Sequence, residues 1–322
     1  MFGKLKYNET KFTNTGVRHE RHGDGSVTLD QDEYINALKP ISHPSMIGAK
    51  PDAEACQTLI ELFWSLLGAA AYMLITQFWL AVYIVSLQRK VKAPLIIHIR
   101  RLNAVVRVAQ KRPARIIYQA MQAAGVLECH SDSGFSKEQG AGYGIRGANI
   151  MRHGWNRKTD KLVFHLLEAQ CRSHKHVTRC SFSSETRAAV IAADEIMPVA
   201  MTLHEIEFGV LTTTQARRMM DEGHCGVATI LTVDSMSLWS AIAAISVRIP
   251  TEKNLAVHMF WLKQLLTLKI IKVLRWCDTR DMNADCHTKG SIDRACILRL
   301  MTGDFEFAHP VKDYEVYVKS KL

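Results

Sequence analysis

The sequence predicts an α/β protein in which a mixed β-sheet flanked by helices follows a mainly helical region. Two observations support this fold class. Residues 57 to 111 are dominated by helical segments, whereas strand-like apolar runs and helical segments follow one another after residue 120. Their order there is strand, strand, strand, helix, strand, helix, strand, helix, which is typical of a mixed sheet with helices on its faces. The best domain boundary therefore lies near residues 120 to 125.

The chain has 322 residues, of which 48% are hydrophobic and 22% charged. This is an ordinary globular composition and is long enough for two domains. The net charge of +10 is uneven, because no Asp or Glu lies between Leu62 and Leu127. That stretch contains many basic residues: Arg89, Lys90, Lys92, Arg100, Arg101, Arg107, Lys111, Arg112 and Arg115. It predicts attraction to phosphate or another anionic surface, with a solvated helix face as the simpler alternative.

Eight cysteines occur singly, without a Cys-x-x-Cys pair and without an N-terminal signal peptide. This pattern predicts free thiols in a reducing compartment, the cytoplasm or the nucleus. One cluster, Cys171, His174, His176 and Cys180, has ligand types that zinc prefers. Its spacing differs from that of common structural zinc sites, so zinc is the less favoured interpretation of the cluster.

Residues 62 to 88 carry no charge and are followed by Arg89, Lys90 and Lys92. A single membrane span with a basic flank has this appearance. Five small or polar residues interrupt the run, namely Ser65, Gly68, Thr76, Gln77 and Ser86. They favour two buried helices, and we expect no membrane association.

The first part of the chain begins with extended segments and turns over residues 1 to 40, with one turn at residues 23 to 25. Residues 57 to 88 are predicted to be helical. From Leu95 to Gln110 apolar residues recur at helical spacing while basic residues gather elsewhere on the helix, which Pro113 ends. We therefore predict an amphipathic helix with a basic side.

The second part begins with an apolar strand, "AGVLEC", that ends near Asp132. A strand around "GYGIRGANIMR" follows, and then a third through "LVFHLLEA" or "HVTRCSF". A long helix opens after Ser183 and Ser184, which are good capping residues, with Glu185 in its first turn. Ala189, Ala192, Ile196 and Leu203 share the side of Glu185, so this carboxylate belongs to the buried edge. Pro198 should kink the helix.

The remaining elements continue the alternation. The strand in "VATILTV" ends at Asp234 and turns into a helix, and a further helix carries the stripe Leu255, Met259, Leu262 and Leu266. A strand in "IIKVLRW" leads to Asp285, at the start of a final helical segment.

Four acidic residues thus lie at element ends: Asp132, Glu185, Asp234 and Asp285. Each alone is more simply a cap or a turn residue, and Asp132 in particular is suited to a turn. Four together, without equivalent basic partners, indicate a divalent metal. Their hard oxygen ligands suit Mg²⁺, and two such ions about 4 Å apart can clamp both oxygens of a phosphodiester displacement.

Four segments in order, "HSDSGFS", "SFSSETRAAV", "LTVDSMSLWSAI" and "MNADCHTKG", resemble the ribonuclease H motifs of copia-type retrotransposon Pol polyproteins. Upstream, "GSVTLDQDEYINALKPI" is similar to the end of the reverse transcriptase palm, "LIELFWSLLGAAAYM" to the paired helices beyond it, and "LNAVVRVAQK" to the basic helix before ribonuclease H. The resemblance implies a palm and thumb end at residues 1–45, a helical thumb or connection region at 46–122, a ribonuclease H-like domain at 123–310 and a tail at 311–322.

The resemblance also implies roles. Asp132 would bridge two Mg²⁺ ions, for which Mn²⁺ may substitute; Asp285 would complete the ion that activates water, and Glu185 with Asp234 would hold the other. The substrate would be the RNA strand of an RNA:DNA hybrid, gripped through its phosphates by Arg100, Arg107 and Lys111. No Tyr-x-Asp-Asp polymerase motif occurs, so the remainder of a reverse transcriptase is an expected partner. A noncatalytic nucleic-acid-binding relic and a single-span membrane protein are the alternatives.

Overall fold

The computed structural model describes residues 10–121, 125–134, 144–175, 177–247, 250 and 252–316. The chain forms two compact units. The first comprises Met1–Ala120 with Met301–Gly303, and the second comprises Met121–Leu300 with Asp304–Leu322.

The first unit contains a four-stranded antiparallel sheet in the order β1 (Lys11–Asn14), β2 (Val17–Arg21), β3 (Val27–Asp30) and β4 (Ile116–Tyr118). The predicted turn joins β2 to β3, where the Asp24 carboxylate accepts a 2.8 Å hydrogen bond from the Ser26 amide. Helix α1 (Asp32–Ala37) follows β3 directly. The expectation of extended structure to residue 40 was therefore wrong at α1, whose Ile35 is buried.

The uncharged run forms two helices, as predicted: α2 (Gln57–Tyr72) and α3 (Ala81–Gln88). Between them lie Thr76 and Gln77, both fully buried. The Gln77 side-chain amide donates to the carbonyl of Ala114 at 2.8 Å and accepts from the amide of the same residue at 2.9 Å. Gln77 thus anchors the turn between two short 3₁₀ helices, Met73–Ile75 and Phe78–Leu80, that separate α2 from α3. By length and composition alone the segment Gln57–Ile75 would suffice to cross a membrane, as would a core helix of a soluble protein, and 33% of its apolar window is buried.

The predicted amphipathic helix is α4 (Ile96–Lys111). Its apolar side, which includes Leu102, Val105 and Ala109, is buried. Asn103 is also buried and fastens the chain at Ile41, since its side chain accepts from the Ile41 amide at 2.7 Å and donates to the Ile41 carbonyl at 2.8 Å. The opposite side of α4 remains solvated and basic.

The second unit contains the predicted mixed sheet flanked by helices. Its strands are β5 (Val126–Gly134), β6 (Ile145–Asn156), β7 (Lys161–Ser173), β8 (Thr229–Val233), β9 (Val273–Trp276) and β10 (Lys312–Tyr314), in the sheet order β10-β9-β8-β5-β6-β7. Strands β5, β8 and β9 are parallel to one another, and the other pairs are antiparallel. Two segments were possible for the third strand, and β7 contains the first of them, "LVFHLLEA".

The helices of this unit are α5 (Ser181–Phe208), α6 (Thr213–Glu222), α7 (Met236–Ala243), α8 (Leu255–Thr267) and α9 (Ala295–Met301). The core joins β5, through Leu127 and Cys129, to the Ala-rich side of α5 and to α8. The predicted stripe of α8 is buried throughout. The alanines on this side of α5 have small side chains, which allow the helix to pack close to the sheet.

Several boundaries differ from the sequence-based expectations. Strand β5 continues past Asp132 to Gly134, and α5 begins at Ser181 after Cys180. Ser183 and Ser184 are therefore buried inside the helix and do not cap it, and Glu185 lies beyond its first turn. Asp285 lies in a separate 3₁₀ helix, Asn283–His287, ahead of α9. Helix α5 continues past Pro198 to Phe208, and a kink there stays a prediction.

The segment expected to be a tail after residue 310 also takes part in the fold. Strand β10 pairs with β9, and the Asp313 carboxylate accepts hydrogen bonds from Arg275 at 2.8 and 2.9 Å. Three residues are too few to show strand periodicity in a sequence, which is why this edge strand was missed.

Candidate active site

Three of the predicted acidic residues meet at one end of the mixed sheet. Asp132, Glu185 and Asp234 each offer a carboxylate oxygen, and these oxygens all lie within 4.8 Å of one another. Asp132 and Asp234 are neighbours because β5 and β8 are parallel strands. The two strands pair as far as Ser131 and Val233, the residues just before these aspartates. The buried side of α5 brings Glu185 to the same place.

The fourth acid, Asp285, lies beside Asp132 and is tied to it through the segment that follows. The Lys289 ammonium group is 2.6 Å from Asp285 Oδ1 and 4.0 Å from Asp132 Oδ1. The Thr288 hydroxyl donates a hydrogen bond to Asp132 Oδ2. The structure therefore brings all four predicted acids together, with one lysine among them.

Gly147 makes the approach of Asp285 possible. It pairs with Asp132 across β5 and β6. A Cβ atom at this position would lie 2.7 Å from His287 Cβ and 2.8 Å from the Ala284 carbonyl oxygen, closer than real Cβ contacts. Only glycine lets the 3₁₀ helix pack this tightly on the strand. The sequence signal for this role is a glycine inside a strand, which indicates close approach of another backbone.

The electrostatics of the cluster disfavour four ionised carboxylates. Burial and the charges of Asp132 and Asp234 raise the pKa of Glu185 to about 10. Burial and Asp132 raise the pKa of Asp285 to about 8, and they also raise the pKa of Asp234. Like charges held together in a poorly solvated place account for each shift.

A divalent cation fits this donor set. The ligand atoms are carboxylate oxygens, which Mg²⁺ and Mn²⁺ prefer, and the cation would offset the repulsion that raises these pKa values. The positive charge supplied within the cluster by the described residues is the single ammonium of Lys289.

The predicted basic residues of α4 differ in their surroundings. Arg107 and Lys111 are exposed. Arg100 is less exposed, and its guanidinium donates to the carbonyls of Met46 and Ala49 at 3.2 and 2.9 Å. Arg100 therefore also holds the 46–49 loop, a role that the sequence did not indicate.

The alternative zinc cluster does not assemble from its described members. The Cys171 thiol donates to the His287 carbonyl at 3.0 Å, and Cys180 is exposed at the start of α5. His174 lies against two serines, and His176 lies outside the described residues. Within the described part of the chain, the carboxylates of Asp132, Glu185 and Asp234 form the group whose ligand atoms lie close enough to share one metal ion, with Asp285 beside them.

No protein-family model matches the chain, and no curated protein matches it. Among solved structures, it is similar to the N-terminal ribonuclease H domain of rv2228c from Mycobacterium tuberculosis, solved as a fusion with maltose-binding protein. The identity is 13% and the TM-score 0.32, over 54% of this chain and 98% of that one. It is also similar to LC11-RNase H1, isolated from compost by a metagenomic approach, at 13% identity and a TM-score of 0.32, over 53% and 97% of the two chains.

A third similar structure is LC9-RNase H1, described as a type 1 RNase H with the type 2 active-site motif. Its identity is 13% and its TM-score 0.28, over 50% of this chain and 66% of that one.

Proposed function

We propose that the chain is a ribonuclease H-type endonuclease that hydrolyses the RNA strand of RNA:DNA hybrids with two divalent cations. The observation that carries the proposal is the meeting of Asp132, Glu185 and Asp234, whose oxygens lie within 4.8 Å of one another, with Asp285 beside them. A cluster of acidic side chains that repel one another lowers the stability of the folded protein. Cation binding explains why the chain holds them together.

In this reaction Asp132 would help to hold both cations, Asp285 would hold the cation that activates water, and Glu185 with Asp234 would hold the other. When bound, Mg²⁺ or Mn²⁺ lowers the pKa of water and neutralises charge on the attacking and leaving oxygens. Thr288 orients Asp132 by donating to its Oδ2 atom. Lys289 balances part of the negative charge of Asp132 and Asp285.

Recognition of the hybrid is assigned to two kinds of contact. The RNA strand differs from DNA by its 2′-hydroxyl groups, which explains how the site would select the strand that it cuts. The exposed basic residues Arg107 and Lys111 bind phosphates without reading sequence, and Arg100 contributes mainly by holding its loop.

The four motifs support a proposal about the wider context. The last one reads Ala284, Asp285, Cys286, His287, Thr288 and Lys289, and its Asp, Thr and Lys all contact the acidic cluster. We assign the chain to a copia-type Pol polyprotein, in which the remainder of a reverse transcriptase would supply polymerisation.

The decisive experiment is a cleavage assay of the full chain on an end-labelled RNA:DNA hybrid with Mg²⁺, Mn²⁺ or EDTA. Single-stranded RNA and duplex DNA of the same sequence are the matched substrates. Cutting of the hybrid's RNA strand only, and only with a cation, supports the proposal. Binding of the hybrid without cutting at any concentration of either cation would instead support a noncatalytic nucleic-acid-binding relic.

The basic helix gives a second prediction. We expect the double variant Arg107→Gln, Lys111→Gln to bind the hybrid more weakly, because two phosphate contacts are lost. The slope of log affinity against log salt should fall by about 0.7 to 0.9 for each contact. Filter binding at several salt concentrations measures this slope.

The control for that prediction is Arg217→Gln, Arg218→Gln, which removes the same charge from two exposed residues of α6. It should leave most of the slope in place. An equal decrease of the salt slope in the two double variants would show that net charge, and not α4, determines binding of the hybrid.

A further inference from the structure

A buried polar contact lies directly behind the acidic cluster. The imidazole Nε2 atom of His174 is 2.9 Å from Ser133 Oγ and 3.3 Å from Ser184 Oγ, and the two serine hydroxyls also contact each other. All three side chains are buried, with exposed fractions of 5%, 5% and 0% for His174, Ser133 and Ser184. Buried hydroxyl groups are costly unless they are hydrogen-bonded, so this contact has a defined geometry.

Each serine adjoins one of the acids in sequence. Ser133 follows Asp132 on β5, and Ser184 precedes Glu185 on α5. Since successive side chains of a strand point to opposite faces, Ser133 lies on the other face of β5 from Asp132. The contact therefore connects β5 and α5, the two elements that carry Asp132 and Glu185. It does so on the other face of β5 from the Asp132 carboxylate.

His174 is itself anchored to a third element. Its backbone amide donates to the Gly144 carbonyl at 2.9 Å, just before β6. Room beside it is tight, because a Cβ atom at residue 144 would lie 3.2 Å from His174 Cδ2 and 3.2 Å from Ser184 Oγ. The imidazole thus has little freedom to follow α5 if that helix moves.

Repulsion between Asp132 and Glu185 tends to separate β5 from the start of α5. Apolar packing between the strand and the helix resists this force without specifying a distance, whereas hydrogen bonds specify one to within a few tenths of an ångström. Cation affinity depends on ligand spacing at this scale.

We propose that His174 is a positioning residue, which sets the spacing of Asp132 and Glu185 through Ser133 and Ser184 and thereby sets the affinity for the divalent cation. This inference rests on the proposed function, since it concerns the same acidic site. His174 touches neither the substrate nor the cation.

The test measures Mn²⁺ binding to the full chain by electron paramagnetic resonance, without nucleic acid. We expect His174→Leu to weaken Mn²⁺ binding about tenfold, the lower end of the effect of losing such a supporting contact. His174→Gln, which keeps a hydrogen-bonding group near the serines, should stay within about threefold of the wild type. Cleavage by His174→Leu should recover when the Mg²⁺ concentration is raised, because its four acids are intact.

The matched control is His98→Leu. His98 is also a buried histidine with a structural hydrogen bond, since its Nδ1 atom accepts from the Leu95 amide at 2.9 Å in the first unit. This change should lower the melting temperature and leave Mn²⁺ affinity unchanged.

Ser184→Ala is the second variant, and it decides the matter if His174→Leu does not fold. It should also weaken Mn²⁺ binding. In the double variant His174→Leu, Ser184→Ala, the loss of Mn²⁺ affinity should be less than additive, because both changes break the same hydrogen-bonded contact. Wild-type Mn²⁺ affinity in a folded His174→Leu protein, or in Ser184→Ala, overturns the positioning role.

The two proposals fail in different ways. Wild-type protein that binds Mn²⁺ but never cuts the hybrid counts against the ribonuclease activity alone. Unchanged Mn²⁺ affinity in the variants counts against His174 alone, and a wild-type chain that binds no Mn²⁺ overturns both.

Discussion

Replacing Asp132 with asparagine should abolish cation-dependent cutting of the hybrid. The expected loss is about 1000-fold or more, because a charge that stabilises the transition state is removed from its centre. The amide keeps the shape of the side chain and can still accept the Thr288 hydrogen bond, so hybrid binding should stay within about threefold of the wild type. Single-turnover cleavage and filter binding on the same preparation measure the two quantities.

The same substitution should not destabilise the protein. The charge of Asp132 is one of the causes, beside burial, that raise the pKa values of Glu185, Asp234 and Asp285. Removing its charge relieves that repulsion, so the melting temperature of Asp132→Asn in EDTA should equal or exceed that of the wild type. Loss of activity with retained or increased stability is the behaviour of a functional site.

Asp281→Asn is the matched control. Asp281 is equally buried, but its Oδ2 atom accepts from the His309 amide at 2.8 Å and contacts the His309 imidazole at 3.1 Å. This substitution should lower stability and spare cleavage. If Asp132→Asn retained more than a tenth of wild-type activity, the two-cation assignment would be wrong.

The sequence was informative where a site residue follows an apolar run or shares the helical period of a buried face. Asp132 and Asp234 each follow an apolar run long enough to recognise as a strand, and parallel neighbours bring such ends together. Glu185 was found because the alanines that follow it repeat with the helical period and mark the buried side of α5. These signals are local, so they survive without knowledge of the tertiary structure.

What the sequence missed depends on distant contacts. The hydroxyls of Ser183 and Ser184 suit helix caps, yet tertiary packing buries both serines inside α5. Strand β4 has three residues and is defined by its pairing with β3, far away along the chain. The roles of Gly147, Lys289 and His174 likewise arise from elements that meet only in the folded protein.

The second large effect is expected at a buried ion pair on β5, four residues before Asp132. Glu128 is fully buried, and Arg275 Nη1 donates to its Oε2 atom at 3.1 Å. The imidazoles of His130 and His153 lie 3.2 and 3.1 Å from the same carboxylate. Burial alone would raise the pKa of Glu128, but these partners outweigh it and hold the pKa below its usual range.

Arg275→Leu should therefore lower the free energy of unfolding by about 3 to 5 kcal/mol at neutral pH, since it takes the guanidinium, a permanently charged partner, away from a buried carboxylate. Urea denaturation measures this change. Adding Glu128→Gln to the same chain should recover much of the loss, because the uncompensated charge is then gone. Asp313→Asn, which removes the more exposed partner of Arg275, should cost less than about 1 kcal/mol.

The pH dependence of the same pair has a defined sign. Because the folded-state pKa of Glu128 lies below the unfolded-state value, the unfolded chain takes up the proton first as the pH falls. The stabilisation by Glu128 is thus complete above about pH 4.5 and declines below it, toward the folded-state pKa. Wild-type stability should fall more steeply than that of Glu128→Gln between about pH 4.5 and 3. Parallel pH profiles of the two proteins would show that Glu128 is not held ionised in the folded state.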